Sequence, residues 1–394
     1  MSILKNLNQG LQKRIAEGSL RNLSVKKNLV DFCSNDYLGF ARSRELDEAI
    51  TNSPYYGNGG IGSTGSRLIS GNSAFAEDLE NYIAKFHKAE AGLIFNSGYD
   101  ANVGLFSCIA KKGDTILYDA LIHASVHDGM RMGIAYTHAF RHNDVSHLEE
   151  KLKTAQGNIF IAVESVYSMD GDEAPLKEMA ALAEKYNAAL LVDEAHATGV
   201  YGEKGEGKVV ELGLQDKVLA RIHTFGKALG CHGGIVIGDG VLRNYLINFA
   251  RSFIYTTALP MHSLIAVKCA YELLQTDYYK QQKQKLEKNV EHFKSLLLAC
   301  IDNYQIVPYP KGEGLDEGIK AINFVASSSP IQAIIIEGNE NVKSLALSIQ
   351  QKGYDARAIV GPTVPKGKER IRICLHSFNS EKEIKELVTL LYCQ

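Results

Sequence analysis

Two short stretches of this 394-residue chain hold residue types that can do chemistry together. The first is Leu190-Leu191-Val192-Asp193-Glu194-Ala195-His196, an apolar run that ends in an acid with a histidine three residues on. Ligands of open α/β sheets collect beyond the carboxyl ends of the strands, so Asp193 is expected to project into a site. Taken alone, such an acid could equally cap the next helix, and His196 could be a packed histidine. The second stretch is Thr224-Phe225-Gly226-Lys227-Ala228-Leu229-Gly230, with its lysine 34 positions after Asp193. Most lysines are simply solvated. One set among glycines and apolar residues can be desolvated, which lowers its pKa and frees the amine for Schiff-base chemistry.

The pairing has a physical reason. Pyridoxal phosphate is an electron sink only while its ring nitrogen is protonated, and a carboxylate at Asp193 would hold that proton while Lys227 carries the cofactor. A phosphate needs a cradle, and Phe95-Asn96-Ser97-Gly98-Tyr99-Asp100-Ala101-Asn102 follows an apolar run and opens a helical one. Backbone N–H groups at a helix N-terminus bind phosphate, and Gly98 allows close approach. The bland alternative is an ordinary strand-to-helix turn. His123, in Tyr118–Ser125, lies near another strand end, where an imidazole could stack on a planar ring. Two other patterns carry less. Gly60-Ile61-Gly62-Ser63-Thr64-Gly65 fits G-x-G-x-x-G but lacks an apolar strand before it, and Glu80 falls in a predicted helix rather than at a second strand end. His123 and His127 share a helical spacing without the glutamate of a zinc motif.

Elements must position these residues. Strands are predicted at Ala91–Phe95, Thr115–Tyr118, Ile159–Val163, Ala189–Val192 and Ile235–Ile237, with Ala220–His223 extended. Helices are predicted at Glu77–Phe86, His147–Thr154 and Leu176–Tyr186. Apolar strands alternating with helices predict an α/β fold with a mostly parallel sheet buried on both faces. One long helix is expected from Ser263 through Leu296. Strands at Ala333–Ile336, Asp355–Val360 and Ile371–Leu375, with helices at Val342–Gln351 and Glu381–Leu391, suggest a smaller α+β domain. Leu4, Leu7, Leu11 and Ile15 recur at helical spacing and predict an amphipathic helix packed on the body. The resulting division is 1–45 for an N-terminal helix and extended segment, 46–275 for a large domain and 276–394 for a small C-terminal one.

Composition excludes several classes. Charge is nearly balanced, with 43 Lys+Arg against 45 Asp+Glu, which gives no reason to expect nucleic acid as a partner. No apolar stretch approaches the roughly 18 residues that span a bilayer. Seven scattered cysteines without C-x-x-C argue against a disulfide framework and for a reducing compartment. The start of the chain lacks a secretory pattern, and its few arginines and Glu17 weigh against a transit peptide. A cytoplasmic location is expected.

The motifs taken together resemble the α-oxoamine synthases, fold-type I pyridoxal-phosphate enzymes with an aspartate-aminotransferase-like architecture. The resemblance rests on Ser34–Gly39, Gly62–Arg67, Asn96–Tyr99, Ser168–Asp172, Asp193–His196, Thr224–Lys227 and Pro362–Pro365, in order along nearly the whole chain. It implies decarboxylative condensation of an amino acid with an acyl thioester. It implies that Lys227 bonds the cofactor and then abstracts the α-proton, that Asp193 pairs with the ring nitrogen, that His196 bonds the ring oxygen and that His123 stacks on the ring. Gly98, Tyr99 and Thr224 would serve the phosphate and Ser168 the ring region. Thr256 and Thr257 match a segment that reaches the neighbouring subunit's phosphate, which implies a homodimer with shared sites. Asn35 and Arg372 fall on substrate positions, with Arg372 gripping the carboxylate. Arg21, Thr363 and Arg141–Val145 are similar to the member that joins L-alanine to a pimeloyl thioester. His127–Arg131 is closer to the glycine-using and sphingolipid-forming branches.

Overall fold

The computed structural model describes residues 2–23, 25, 28–57, 60–304, 307–309 and 323–392. Two compact units form: one from Asn35–Ser168 and Glu173–Lys283, the other from Met1–Ser34, Met169–Asp172 and Gln284–Gln394.

The first unit is built on seven strands: β1 (Ala91–Phe95), β2 (Thr115–Asp119), β3 (Tyr136–Phe140), β4 (Ile159–Glu164), β5 (Ala189–Asp193), β6 (Ala220–Thr224) and β7 (Gly234–Gly238). Their order across the sheet is β1-β7-β6-β5-β4-β2-β3. Every pairing is parallel except those of β7, which runs antiparallel to both β1 and β6. The mostly parallel sheet expected from the sequence is present, and all residues of β1 and β6 are buried. Edge strand β3 was not predicted. Four of its five residues are exposed, and Tyr136-Thr137-His138-Ala139-Phe140 holds no continuous apolar run.

Side chains alternate across a strand, and here the alternation sorts two cores. Leu117, Ile161, Val163, Leu190 and Val192 face one. Ile116, Phe160, Ala162, Leu191, Ala220 and Ile222 face the other, together with Ala101, Leu105, Val126 and Met130 from helices α2 (Gly98–Cys108) and α3 (Ala124–Met132). Glu80, fully buried on helix α1 (Ala74–Phe86), accepts from Arg67 at 2.7 Å, Arg243 at 3.0 Å and the Ile94 amide at 2.9 Å. The acid of the rejected nucleotide pattern is thus an anchor between α1 and β1. Breaking a buried pair of this kind by removing one partner costs about 3–5 kcal/mol.

The expected single helix over 263–296 is two helices, Met261–Leu273 and Asp277–Tyr304. Thr276 turns its hydroxyl back to the Leu273 carbonyl at 2.7 Å, and Asp277 opens the second helix. Short polar side chains compete for helix backbone groups in this way, and apolar spacing alone does not register it.

The second unit carries β8 (Val307–Tyr309), β9 (Asn323–Val325), β10 (Ile331–Ile335), β11 (Arg357–Ile359) and β12 (Arg370–Cys374) in the order β11-β12-β10-β9-β8. A separate parallel pair joins Val30–Asp31 to Tyr354–Asp355. Arg370 forms an ion pair with Asp170 inside this unit. Gly171 beside it has φ of 75°, and a Cβ there would run into the Ile331 carbonyl. The helix Ser2–Ala16 forms as expected, but Ile3, Leu4, Leu7, Leu11 and Ile15 are 52–73% exposed instead of packed on the chain's own body. No helix among the described residues is long and apolar enough to cross a membrane. Cys33, Cys108, Cys231, Cys269 and Cys374 are free thiols, while Cys393 and the side chain of Cys300 lie outside the described residues.

Candidate active site

Strand parity brings three polar side chains to one place. Glu164, Asp193 and Thr224 each end a strand two residues beyond a residue of the core under α2 and α3, so they share that face. Asp193 is buried. It accepts from Asn102 Nδ2 of α2 at 2.7 Å and from the Ala195 amide at 2.8 Å. Two donors fix its carboxylate in orientation. Asn102 Nδ2 also donates to Ser125 Oγ at 3.0 Å, and Ser125 Oγ lies 2.7 Å from His123 Nδ1. His123 caps α3, its Nδ1 accepting from the Ser125 amide. Burial pushes the His123 pKa below its ordinary value, with Lys227 adding to the depression against the opposing pull of Asp193. A neutral ring with Nδ1 as acceptor agrees with both bonds.

Lys227 Nζ stands 2.6 Å from His196 Nε2, and His196 Nδ1 stands 2.7 Å from the Tyr37 hydroxyl. Tyr37 in turn donates to Asn35 Oδ1 at 3.1 Å. An ammonium at Lys227 can only donate, which leaves Nε2 as acceptor and Nδ1 as the N–H of a neutral imidazole. The result is a directed chain from Lys227 through His196 and Tyr37 to Asn35. The loop after Lys227 turns at Gly230, with φ of 63° against the backbone of Phe40 and Ala41, where a Cβ could not fit.

A cavity of about 250 Å³ opens between these groups, lined by Gly98, Tyr99, His123, Asp193, His196, Thr224 and Lys227 among others. Gly98 opens α2, Ser97 caps it, and a Cβ on Gly98 would lie 3.1 Å from Thr224 Cβ. The helix N-terminus and the Thr224 hydroxyl therefore face one another across a gap that a Cβ at Gly98 would crowd. Seven of the residues singled out from the sequence thus come together. Tyr99 is half exposed at the rim, its hydroxyl donating to Asp128 at 2.6 Å.

Others stand elsewhere. Ser168 lies in the turn after β4 and does not line the cavity. Thr256 and Thr257 follow the helix Arg251–Ile254 and are bonded by Asn96 Nδ2 at 2.8 Å each, again outside the lining. In the second unit, Arg21 donates to Thr363 Oγ1 at 3.1 Å on the surface. Arg372 is a buried residue of β12 whose guanidinium contacts Cys374 Sγ at 2.9 Å. The sequence reading did not single out Asn102, Ser125, Tyr37 or Glu164. Glu164 had a signal in hand, since it ends an apolar strand as Asp193 does. Among the described residues no cluster of His, Cys, Asp and Glu is arranged to hold a metal ion.

The family described as aminotransferase class I and II matches residues 27–391. An 8-amino-7-oxononanoate synthase of Emericella nidulans is 43% identical, with 97% of this chain and 93% of that protein covered. The solved structure of a Sphingomonas wittichii serine palmitoyltransferase is similar at a TM-score of 0.83 and 25% identity, covering 100% of this chain and 97% of that one. An 8-amino-7-oxononanoate synthase from Francisella tularensis is similar at a TM-score of 0.75 and 26% identity, covering 93% and 98%.

Proposed function

The chain belongs to the aminotransferase class I and II family, and on that premise we propose that it is a pyridoxal-phosphate C-acyltransferase that condenses L-alanine with a pimeloyl thioester, releasing CO2 and the thiol and giving 8-amino-7-oxononanoate for biotin synthesis. The observation that carries the reading is one cavity holding the amine of Lys227, the doubly anchored carboxylate of Asp193 and the N-terminus of α2. Identity of 43% to a protein bearing that name supports the choice of reaction.

The donor set fits the cofactor. Lys227 supplies an amine for its aldehyde, Asp193 a carboxylate for its ring nitrogen, and Gly98, Tyr99 and Thr224 the phosphate end, where the missing Cβ of Gly98 leaves room. When bound, pyridoxal phosphate supplies an electron sink for the pair left at the substrate α-carbon. The chain's own groups do the rest. Lys227 Nζ takes the proton from the α-carbon and later returns it. His196, held between Tyr37 and Lys227, keeps Nζ aimed and shares its proton. His123, neutral and fixed by Ser125, offers a flat face to a ring. Asn35 and Arg372 are assigned to the amino acid, Arg372 to its carboxylate, to which a guanidinium can bond bidentately. Arg21 and Thr363, already hydrogen-bonded, are assigned to the acyl substrate.

A second reading, glycine or serine as the amino acid with an acetyl or long acyl donor, is favoured by the His127–Arg131 stretch and by the serine palmitoyltransferase likeness. An aminotransferase activity is the more distant alternative. Product mass spectrometry with alanine, glycine and serine, each against acyl thioesters of graded length on coenzyme A or a carrier protein, separates the three. We expect the alanine–pimeloyl product. A product only from glycine or serine would overturn the substrate assignment, and release of a keto acid without free thiol would overturn the reaction class.

We also propose a homodimer in which Thr256 and Thr257 serve the neighbouring subunit's phosphate. That they are braced by Asn96 yet stand outside their own chain's cavity supports it. Light scattering is expected to give twice the 43.3 kDa chain mass, and a one-chain mass in the active enzyme would refute shared sites.

A further inference from the structure

The cavity contains one acid to which nothing above gives work. Glu164 is 3% exposed and lines the cavity, yet its Oε1 has no hydrogen-bond partner among the described residues. Its strand position is directly in register with Asp193, one strand over and on the same face. Adjacent strands lie about 4.8 Å apart, so two carboxyl groups share one water-poor corner. Two such groups do not both ionise without heavy cost. The surroundings decide which one carries the charge. Among the described residues Asp193 receives two donors, Asn102 Nδ2 and the Ala195 amide, while Glu164 receives the His123 amide and leaves Oε1 without a partner.

We propose that Glu164 stands in the cavity as a neutral carboxylic acid and donates a hydrogen bond from its side-chain oxygen to an electron-rich oxygen of the bound substrate. A buried polar oxygen without a partner is costly, and Glu164 is among the residues that line the cavity. As an acid it can act as a donor, a role closed to a carboxylate. Burial drives its pKa well upward and the neighbouring Asp193 charge adds to this, while Lys227 and the His123 amide oppose and Asp119 reinforces. Removing water from this corner also makes the bond worth more than it would be in solution. The substrate oxygen has two possible sources, the amino acid's carboxylate and the thioester's carbonyl, and kinetics distinguish them.

The inference rests on the reading of the cavity as a pyridoxal-phosphate site, and its test has a readout that does not need turnover. Glu164→Gln exchanges a neutral acid for a neutral amide of the same shape. The visible absorbance of the pyridoxal-phosphate-loaded protein is titrated with pH in both forms. If Glu164 is neutral, the midpoint moves by less than about 0.3 unit. If it is ionised, losing a charge at this range moves the midpoint down by about a unit or more and overturns the proposal. Absence of any visible band in the wild-type protein would instead overturn the cofactor reading beneath it. Glu164→Leu removes the donor and is expected to cut kcat/KM about 10- to 100-fold, with Glu164→Gln recovering part of the loss. A loss in amino-acid affinity assigns the bond to the carboxylate, and a loss in kcat alone assigns it to the thioester carbonyl. Leucine within twofold of wild type, with the protein still loaded, overturns the donor role.

Discussion

Lys227→Ala is expected to remove both the covalently attached cofactor and the reaction. The wild-type protein should take up pyridoxal phosphate with visible absorbance, and borohydride followed by peptide mass spectrometry should find the added mass on Lys227. The variant should show neither. Turnover should fall by roughly 10⁴-fold or more, because one side chain is assigned both the bond to the cofactor and the proton transfer at the α-carbon. Small amines added to the variant could restore a part of the proton transfer but not the labelled peptide. The fold should survive, since a half-buried side chain in a loop is being shortened rather than a core emptied. Borohydride labelling of a different lysine would sink the assignment outright.

Asp193→Asn is expected to be nearly as damaging through a different cause. The amide has the carboxylate's shape but lacks its charge. It also presents an NH2 group to one of the two donors, Asn102 Nδ2 or the Ala195 amide, that now converge on the oxygens. A ring-nitrogen proton in the cavity would lose its counter-charge. We expect α-proton exchange of the amino acid to slow by roughly 10²–10⁴-fold, with cofactor still bound. Exchange measured by NMR in deuterated buffer, without an acyl donor, isolates this step. Unchanged exchange would mean that Asp193 only anchors α2.

The chemistry was legible because its residues are local. Asp193 and His196 fit within one strand end, and Lys227 sits in one loop. Their surroundings were less so. Tyr37 reaches His196 across 159 residues of chain, and Asn102 reaches Asp193 across 91. No window of sequence contains either pair. The strand-helix alternation predicted a mostly parallel sheet correctly, yet periodicity says nothing of neighbour order, so the antiparallel insertion of β7 was not readable. The exposed strand β3 lacked a pattern, and the break at Thr276 was a hydrogen-bonding event inside an unbroken apolar spacing. The N-terminal helix shows the converse case. Its spacing predicts an amphipathic stripe, but that stripe is exposed and meets no counterpart among the described residues.

The place of β7 has a consequence for how the chain is made. In the sheet, β1 bonds only to β7, whose first residue follows its last by 139 positions, from Phe95 to Gly234. At about 5–20 residues per second, a ribosome takes roughly 7–28 s to cover that distance. Throughout that interval the nascent β1, apolar on both faces, must wait without its partner. Lys227 leaves the ribosome only seven residues ahead of the closing strand. The newborn polypeptide thus acquires its reactive amine and its finished sheet almost together, so no long-lived translation intermediate carries an assembled site.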